Sequence, residues 1–144
     1  YEKLGSPNEV RVLFSAHGLP KKNIDNGDPY EAQIQLSANA VAKLLPENFQ
    51  FVTCYQSKVG PLEWLGPATT VEIAKAANDK IGIIICPISF VSEHIETLVE
   101  LDIEYKKLAL DMGVPFFGRA QTIGTNKVFI GSLADLVDEK LLEI

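Results

Sequence analysis

Residues 92–105 hold the densest group of side chains in this chain that could carry out chemistry. Their sequence, SEHIETLVELDIEY, contains one imidazole and five carboxylates. Glu96, Glu100 and Glu104 recur at every fourth position, so an α-helix would carry them along one side with a drift of roughly 40° per step. Like charges at this spacing destabilise a helix. The row therefore predicts a functional role, and binding or relaying a cation fits it best.

A histidine elsewhere in the chain could complete such a cation site. His17 lies where the β-branched and aromatic run VRVLFSA gives way to the turn HGLP. Imidazole and carboxylate together suit iron, cobalt or zinc, so His17 with Glu96 is a candidate pair. Two protein ligands are too few for a permanent structural site, so the metal would be transient or held partly by another ligand. A lone histidine can equally be a structural residue with satisfied hydrogen bonds.

Other polar and aromatic residues have both a functional and a structural interpretation. His94 could bind a metal or a ligand, or it could orient the start of the helix. Trp64 could stack on a flat apolar ligand or close the core beneath an irregular loop. Lys58 could bind an anion or simply be solvated. For Glu104 the alternative is a solvated helix face with pairs four residues apart, such as Asp102–Lys106.

The elements that must position these residues alternate between strand and helix. Apolar, β-branched runs predict strands over residues 10–16, 49–55, 81–87 and 114–120, and periodic segments predict helices over residues 28–45, 68–77, 92–112 and 126–142. Asp28 is the expected cap of the first helix, and residues 21–27 before it are predicted to be a polar loop. The alternation predicts an α/β fold, with an open, mostly parallel four-stranded sheet and helices on both faces.

The predicted topology brings the candidate residues to one edge of the sheet. In open α/β sheets, ligands bind beyond the carboxyl ends of the strands. His17 follows the first predicted strand, Gln56–Lys58 follows the second, and Glu93–Glu96 lies soon after the third. Three separate segments thus deliver polar or ionisable groups to one edge, which predicts a functional site there.

Length and composition narrow the class of protein. The chain has 144 residues and a net charge of −6 without a basic cluster, which disfavours nucleic acid as a partner. Its two cysteines, Cys54 and Cys86, are far apart and fit a reduced intracellular protein. There is no apolar run long enough to span a bilayer and no glycine-rich phosphate motif. Residues 1–9 are predicted to be a linker that leads into a single domain, residues 10–144.

Four sequence blocks resemble the C-terminal half of ferrochelatases. They are LFSAHGLP (residues 13–20), GDPY (27–30), CYQSKVGPLEWLGP (54–67) and PISFVSEHIETLVELDIEY (87–105), in the order of the family. The resemblance implies a chelatase-like α/β lobe in an enzyme of haem biosynthesis. That enzyme would insert ferrous iron, its metal substrate, into a porphyrin held in the cleft between two similar lobes, with protoporphyrin IX as the expected substrate and coproporphyrin as the alternative.

The resemblance also implies a role for each candidate residue. His17 and Glu96 would be the catalytic residues, facing each other across the porphyrin pocket. Glu100 and Glu104 would join them as metal ligands, on an acidic ladder whose helix is distorted toward π geometry. The candidates for porphyrin binding are Tyr30, Trp64, His94 and Lys58.

The chain departs from the family pattern in two ways. The N-terminal half is absent, so this missing lobe is an expected partner and the isolated chain is expected to be weakly active or inactive. The cysteine-rich tail that binds an iron–sulfur cluster in some members is also absent, so no cluster is expected in this chain.

The expected localisation is the cytoplasm, and the apolar substrate is compatible with peripheral contact at a membrane. The alternatives are a non-catalytic haem- or metal-binding module and a chelatase for another tetrapyrrole or for cobalt.

Overall fold

The structure, a computed structural model, describes residues 10–143. Its elements are, in chain order, β1 (Val10–His17), α1 (Lys21–Asp25), α2 (Tyr30–Ala42), β2 (Gln50–Gln56), α3 (Thr69–Asp79), β3 (Gly82–Pro87), a π-helix (Glu96–Tyr105), α4 (Lys106–Asp111), β4 (Phe117–Arg119) and α5 (Lys127–Leu142). The strands form one sheet in the order β2-β1-β3-β4, and each neighbouring pair is parallel. The predicted α/β class with a four-stranded open sheet is confirmed. The predicted linker, residues 1–9, lies outside the described residues.

β1 pairs with β2 on one edge and with β3 on the other, and apolar side chains cover both of its faces. Leu13 belongs to a core that also contains Leu101 of the π-helix and residues of α3 and α4. Val12 and Phe14 belong to a second core, with Ala38 of α2. Successive side chains of a strand point to opposite faces, so one strand supplies both cores. Helices accordingly cover the sheet on both sides.

The acidic segment differs from the single α-helix predicted over residues 92–112. Its helix begins at Glu96, runs as a π-helix to Tyr105, and continues as α4 to Asp111. A π-helix of ten residues is unusual, because i→i+5 bonding mostly occurs as a single turn. Hydrophobic periodicity assumes regular α-helical bonding, so only the family resemblance indicated this geometry.

The segment predicted to be a polar loop, residues 21–27, contains the short helix α1. The backbone N–H of Lys21 donates to the carbonyl of Glu63, 2.9 Å away in the loop after β2. This contact spans a large sequence separation, so local patterns could not predict it. The next helix, α2, begins at Tyr30 with Pro29 at the cap position, so the predicted Asp28 cap lies one residue too early, although Oδ1 of Asp28 accepts the N–H of Tyr30 at 2.9 Å. It ends at Ala42, three residues earlier than predicted.

α5 takes no part in the hydrophobic cores. It begins regularly, because Oδ1 of Asn126 accepts the backbone N–H of Val128 at 3.0 Å. None of its residues, all of which the structure describes, is buried. Ile130, Leu133 and Val137 form an exposed apolar stripe along one side. Neither α5 nor any other helix in the described part of the chain is long and apolar enough to cross a membrane.

Candidate active site at the carboxyl edge of the sheet

His17, the last residue of β1, is fixed from three directions. Its backbone N–H donates to Oγ of Ser89 at 3.1 Å, and its carbonyl accepts from the hydroxyl of Tyr30 at 2.9 Å. Its ring Nδ1 lies 2.8 Å from Oε2 of Glu96. With Glu96 ionised, Nδ1–H donates to the carboxylate, which leaves Nε2 of the neutral ring with a free lone pair. The two side chains are 39% and 33% exposed, so the pair is accessible from solvent.

The start of the π-helix is capped by the residues just before it. Nδ1 of His94 accepts the backbone N–H of Glu96 at 3.1 Å, and Oγ1 of Thr97 accepts the N–H of His94 at 2.9 Å. The imidazole also packs on Phe90, with ring centres 5.0 Å apart. Free N–H groups at a helix start need such acceptors. The contacts of His94 are therefore those of a residue that orients the helix start.

Glu100 is held by the turn that follows β2. Its Oε1 accepts the backbone N–H of Ser57 at 2.9 Å and the hydroxyl of Tyr105 at 2.7 Å. Its Oε2 accepts the side-chain amide of Gln56 at 2.9 Å and the hydroxyl of Ser57 at 2.5 Å. Burial opposes ionisation of Glu100, but these hydrogen bonds outweigh it and lower its pKa. Burial and the bond to this carboxylate raise the pKa of Tyr105.

Two more carboxylates of the acidic segment are bound by Arg119, at the end of β4. Nε and Nη2 of Arg119 donate to the two oxygens of Asp102 at 2.6 and 2.7 Å, and Nη1 donates to Oε1 of Glu93 at 3.0 Å. The N–H of Thr122 donates to the same Glu93 oxygen at 2.9 Å. Burial opposes ionisation of Glu93, but these bonds lower its pKa to about 2. Asp102 thus binds Arg119, and not Lys106 as in the alternative of a solvated helix face.

Glu104 is exposed at the far end of the acidic row. An open groove of about 310 Å³ is lined by Ser57, Lys58, Val59, Ile95, Glu96, Val99, Glu100 and Glu104. Within residues 10–143, no group of three or more His, Cys, Asp or Glu side chains is placed to hold a metal ion. Of the four predicted metal ligands, the structure brings His17 and Glu96 together and leaves Glu100 and Glu104 further along the groove.

Trp64 packs against the backbone beside His17. A Cβ on Gly18 would lie 3.1 Å from Cε3 of the indole and 3.0 Å from the carbonyl oxygen of Gln56, so this close approach requires glycine. The indole is partly buried, and its Nε1 has no hydrogen-bond partner among the described residues. Trp64 therefore closes the loop after β2 and also borders the candidate site.

Sequence reasoning missed most partners of the acidic row. Ser57 and Tyr105 lie within the recognised blocks, but no local spacing pairs them with Glu100. Gln56 was placed at the edge, yet its bond to the backbone carbonyl of Glu96, 2.9 Å long, depends on the tertiary fold. One signal was present: a row of carboxylates needs cations nearby, and Arg119 is one of only two arginines in the chain.

Comparison with known proteins gives one family. A family model described as Ferrochelatase matches residues 1–141. Among curated proteins, the "Ferrochelatase" of Phenylobacterium zucineum (strain HLK1) is 57% identical over 135 residues, which cover 94% of this chain and 39% of that protein. That of Caulobacter vibrioides (strain NA1000 / CB15N) is 50% identical, covering 98% of this chain and 41% of that protein. The chain thus spans about two fifths of the length of these relatives.

A solved structure has a similar fold. It is the crystal structure of a protein described as a cobalamin (vitamin B12) biosynthesis CbiX protein, from Marinobacter aquaeolei VT8. Its TM-score is 0.65 at 16% sequence identity, and the match covers 94% of this chain and 99% of that chain. At this identity the likeness supports the chelatase-like fold alone.

Proposed function

The chain belongs to the ferrochelatase family, and on that premise we propose that its parent protein inserts ferrous iron into protoporphyrin IX in haem biosynthesis. Residues 10–144 form one lobe of that enzyme, and residues 1–9 link it to the rest. The observation that carries the proposal is the 2.8 Å contact between Nδ1 of His17 and Oε2 of Glu96 at the accessible edge of the sheet. Iron is a substrate that passes through the site.

Proton removal from the porphyrin is the step that His17 suits best. Two pyrrole protons must leave as iron bonds to the ring nitrogens. Because Nδ1–H of His17 is committed to Glu96, the lone pair of Nε2 accepts one of these protons, and water at this solvent-accessible edge takes the other. The carboxylate of Glu96, 2.8 Å from Nδ1, then stabilises the imidazolium that forms.

Iron reaches this pair along the acidic side of the groove. Glu104 and Glu96 line the same groove, and carboxylate oxygens can replace part of the water shell of a divalent cation. A cation that must move on should be bound by few ligands at a time. Lys58 at the groove wall would moderate the local negative potential.

The remainder of the groove suits a flat apolar ring. Val59 and Ile95 are 69% and 71% exposed and line this groove, so they offer apolar surface that a ligand or another part of the protein can cover. We assign them to one face of the porphyrin, with Lys58 available to a porphyrin carboxylate. Trp64 and Tyr30 complete the wall beside His17, and His94 fixes the helix start below it.

A second lobe is proposed to cover α5. Relatives of this family are much longer than the chain, which spans 39–41% of them. The stripe of Ile130, Leu133 and Val137 is 44–60% exposed and lies outside all three hydrophobic cores. Covering such a stripe is favourable by about 25 cal/mol for each Å² of apolar surface removed from water. The partner proposed for it is the remainder of the same polypeptide, and isolated chains should have little activity.

The enzyme is assigned to the cytoplasm, with peripheral contact at a membrane that supplies its apolar substrate. The thiols of Cys54 and Cys86 are both free, as expected in a reducing compartment. We propose that no iron–sulfur cluster is bound by this lobe.

The test is anaerobic insertion of ferrous iron into protoporphyrin IX, followed by absorbance. The parent protein should be active, and His17→Ala and Glu96→Gln at the corresponding positions should each lower kcat at least about a hundredfold, as expected for loss of an acid–base group. Glu139→Gln, on the exposed side of α5, is the matched control and should leave kcat unchanged.

The outcomes separate the alternatives. Full turnover in both site variants would refute the assignment of His17 and Glu96. An inactive parent protein that still binds haem tightly would indicate a binding module, and a preference for cobalt or for a more polar tetrapyrrole would indicate a different chelatase.

A further inference from the structure

We infer that Glu100 is a positioning residue that fixes the π-helix to the turn after β2, rather than a ligand that passes metal along the acidic row. The inference rests on the proposed function only for its kinetic readout. Glu100 and Glu104 belong to the same row in sequence, but their surroundings differ sharply. Glu104 is exposed, whereas Glu100 is enclosed by donors from three residues.

Both carboxylate oxygens of Glu100 are already occupied. A carboxylate offers about four lone-pair directions, two on each oxygen. Ser57 and Tyr105 donate to Oε1, and Gln56 and Ser57 donate to Oε2, at distances from 2.5 to 2.9 Å. A metal ion could bind Glu100 only by displacing these donors. Glu100 is therefore a poor carrier and a strong anchor.

The backbone of Ser57 supports this reading. Its φ is 63°, in the left-handed region that residues other than glycine seldom adopt. In this conformation both the N–H and the hydroxyl of Ser57 point to Glu100. A strained backbone persists only where its surroundings compensate for it. The carboxylate of Glu100 provides that compensation, so the turn and the helix hold each other in place.

Gln56 connects this anchor to the reacting pair. Its amide donates at 2.9 Å both to Oε2 of Glu100 and to the backbone carbonyl of Glu96. Its Oε1 accepts the hydroxyl of Ser15 on β1, the strand that ends at His17. Gln56 is almost fully buried, so these bonds are not exchanged for water. Through Gln56, Glu100 thus fixes the position of Glu96 opposite His17.

The test compares three variants at the corresponding positions of the parent protein. Glu100→Gln removes the charge, Tyr105→Phe removes one donor and keeps the carboxylate, and Glu104→Gln is the matched control in the same row. Hydrogen–deuterium exchange measures the amides of residues 97–105, and steady-state assays with ferrous iron measure kcat and KM for iron. The exchange measurement needs no catalytic activity, so it decides the inference even if the proposed reaction is wrong.

A positioning role predicts the same change in both anchor variants. Exchange in the π-helix should accelerate about tenfold in Glu100→Gln and in Tyr105→Phe, and kcat should fall about tenfold with KM for iron changed less than twofold. Glu104→Gln should leave the exchange unchanged. Unaltered exchange in Glu100→Gln and in Tyr105→Phe would overturn the inference, and a raised KM for iron in Glu100→Gln would then restore Glu100 as a metal ligand. Tyr105→Phe leaves the charge in place, so it remains informative if Glu100→Gln fails to fold.

Discussion

The π-helix and α5 are both helices in the C-terminal half of this chain, but they are held in opposite ways. The π-helix has unfavourable bonding geometry, and side chains from three strands or strand ends bind it: His17, Gln56 and Arg119. α5 has regular geometry and a capping Asn126, yet it contributes nothing to the cores. Of these two helices, the one with irregular hydrogen bonding is therefore held by side chains from the sheet, and the regular one is not.

The difference teaches where an unusual geometry can persist. A π-helix is rare because its bonding is poorer than that of an α-helix, so it needs compensation from outside. Here the acidic side chains provide it, since Glu93, Glu100 and Asp102 all serve as acceptors for fixed donors. Glu96 and Glu104 are the members of the row that remain for the proposed chemistry. The repulsion expected among the five carboxylates is thus reduced, because three of them accept hydrogen bonds from fixed donors.

The largest loss of stability is expected when the cation of this arrangement is removed. Arg119→Met should lower the free energy of unfolding by about 2 kcal/mol, because Asp102 and Glu93 would lose a bidentate and largely buried partner. Urea unfolding of this chain measures it. Lys107→Met is the control, since Lys107 pairs with Asp111 on an exposed surface and such pairs contribute little. Equal effects in the two variants would show that Arg119 does not support the π-helix.

A smaller, pH-dependent loss is expected at Glu93. The pKa of Glu93 is lowered in the folded state to about 2. The stability that Glu93 provides is therefore fully present above its unfolded pKa, and it is lost as the pH falls from that value to the folded pKa. Glu93→Gln should therefore cost roughly 1 kcal/mol at pH 7, a value reduced by solvent exposure, and the difference from wild type should shrink toward pH 2. Urea unfolding at pH 7, 4 and 3 measures it. A difference that stays constant with pH would contradict this origin.

The same contrast explains what the sequence could predict. Four apolar runs predicted the parallel sheet, and the parallel topology placed His17, Gln56 and Glu96 at one edge. Both predictions were possible because strand and helix patterns lie within single segments of the sequence. The π geometry and the roles of Arg119 and Tyr105 depend on contacts across the fold, which hydrophobic periodicity does not contain. Arg119 lies in a strand of three residues, too short for a pattern of its own. Anchors were therefore harder to predict than the residues they position.

The smallest effect on this chain is expected on α5. Val137 is 60% exposed, so Val137→Lys should change the free energy of unfolding of this chain by less than about 0.5 kcal/mol. Lysine also has a higher helix propensity than valine, which offsets any lost contact. In the parent protein the same change should cost about 2 kcal/mol, because a charge would enter the proposed interface with the second lobe.

Asp138→Lys, one residue further along the same helix, separates interface burial from a general effect of added charge. It should be nearly neutral in the chain and in the parent protein if only the apolar stripe is covered. Thermal unfolding of the wild type and the two variants, each in the chain and in the parent protein, measures these differences. If Val137→Lys were as mild in the parent as in the chain, α5 would be a helix that no lobe covers. The exposure of α5 would then mean that this helix is stable without a partner, and not that the second lobe covers it in the parent protein.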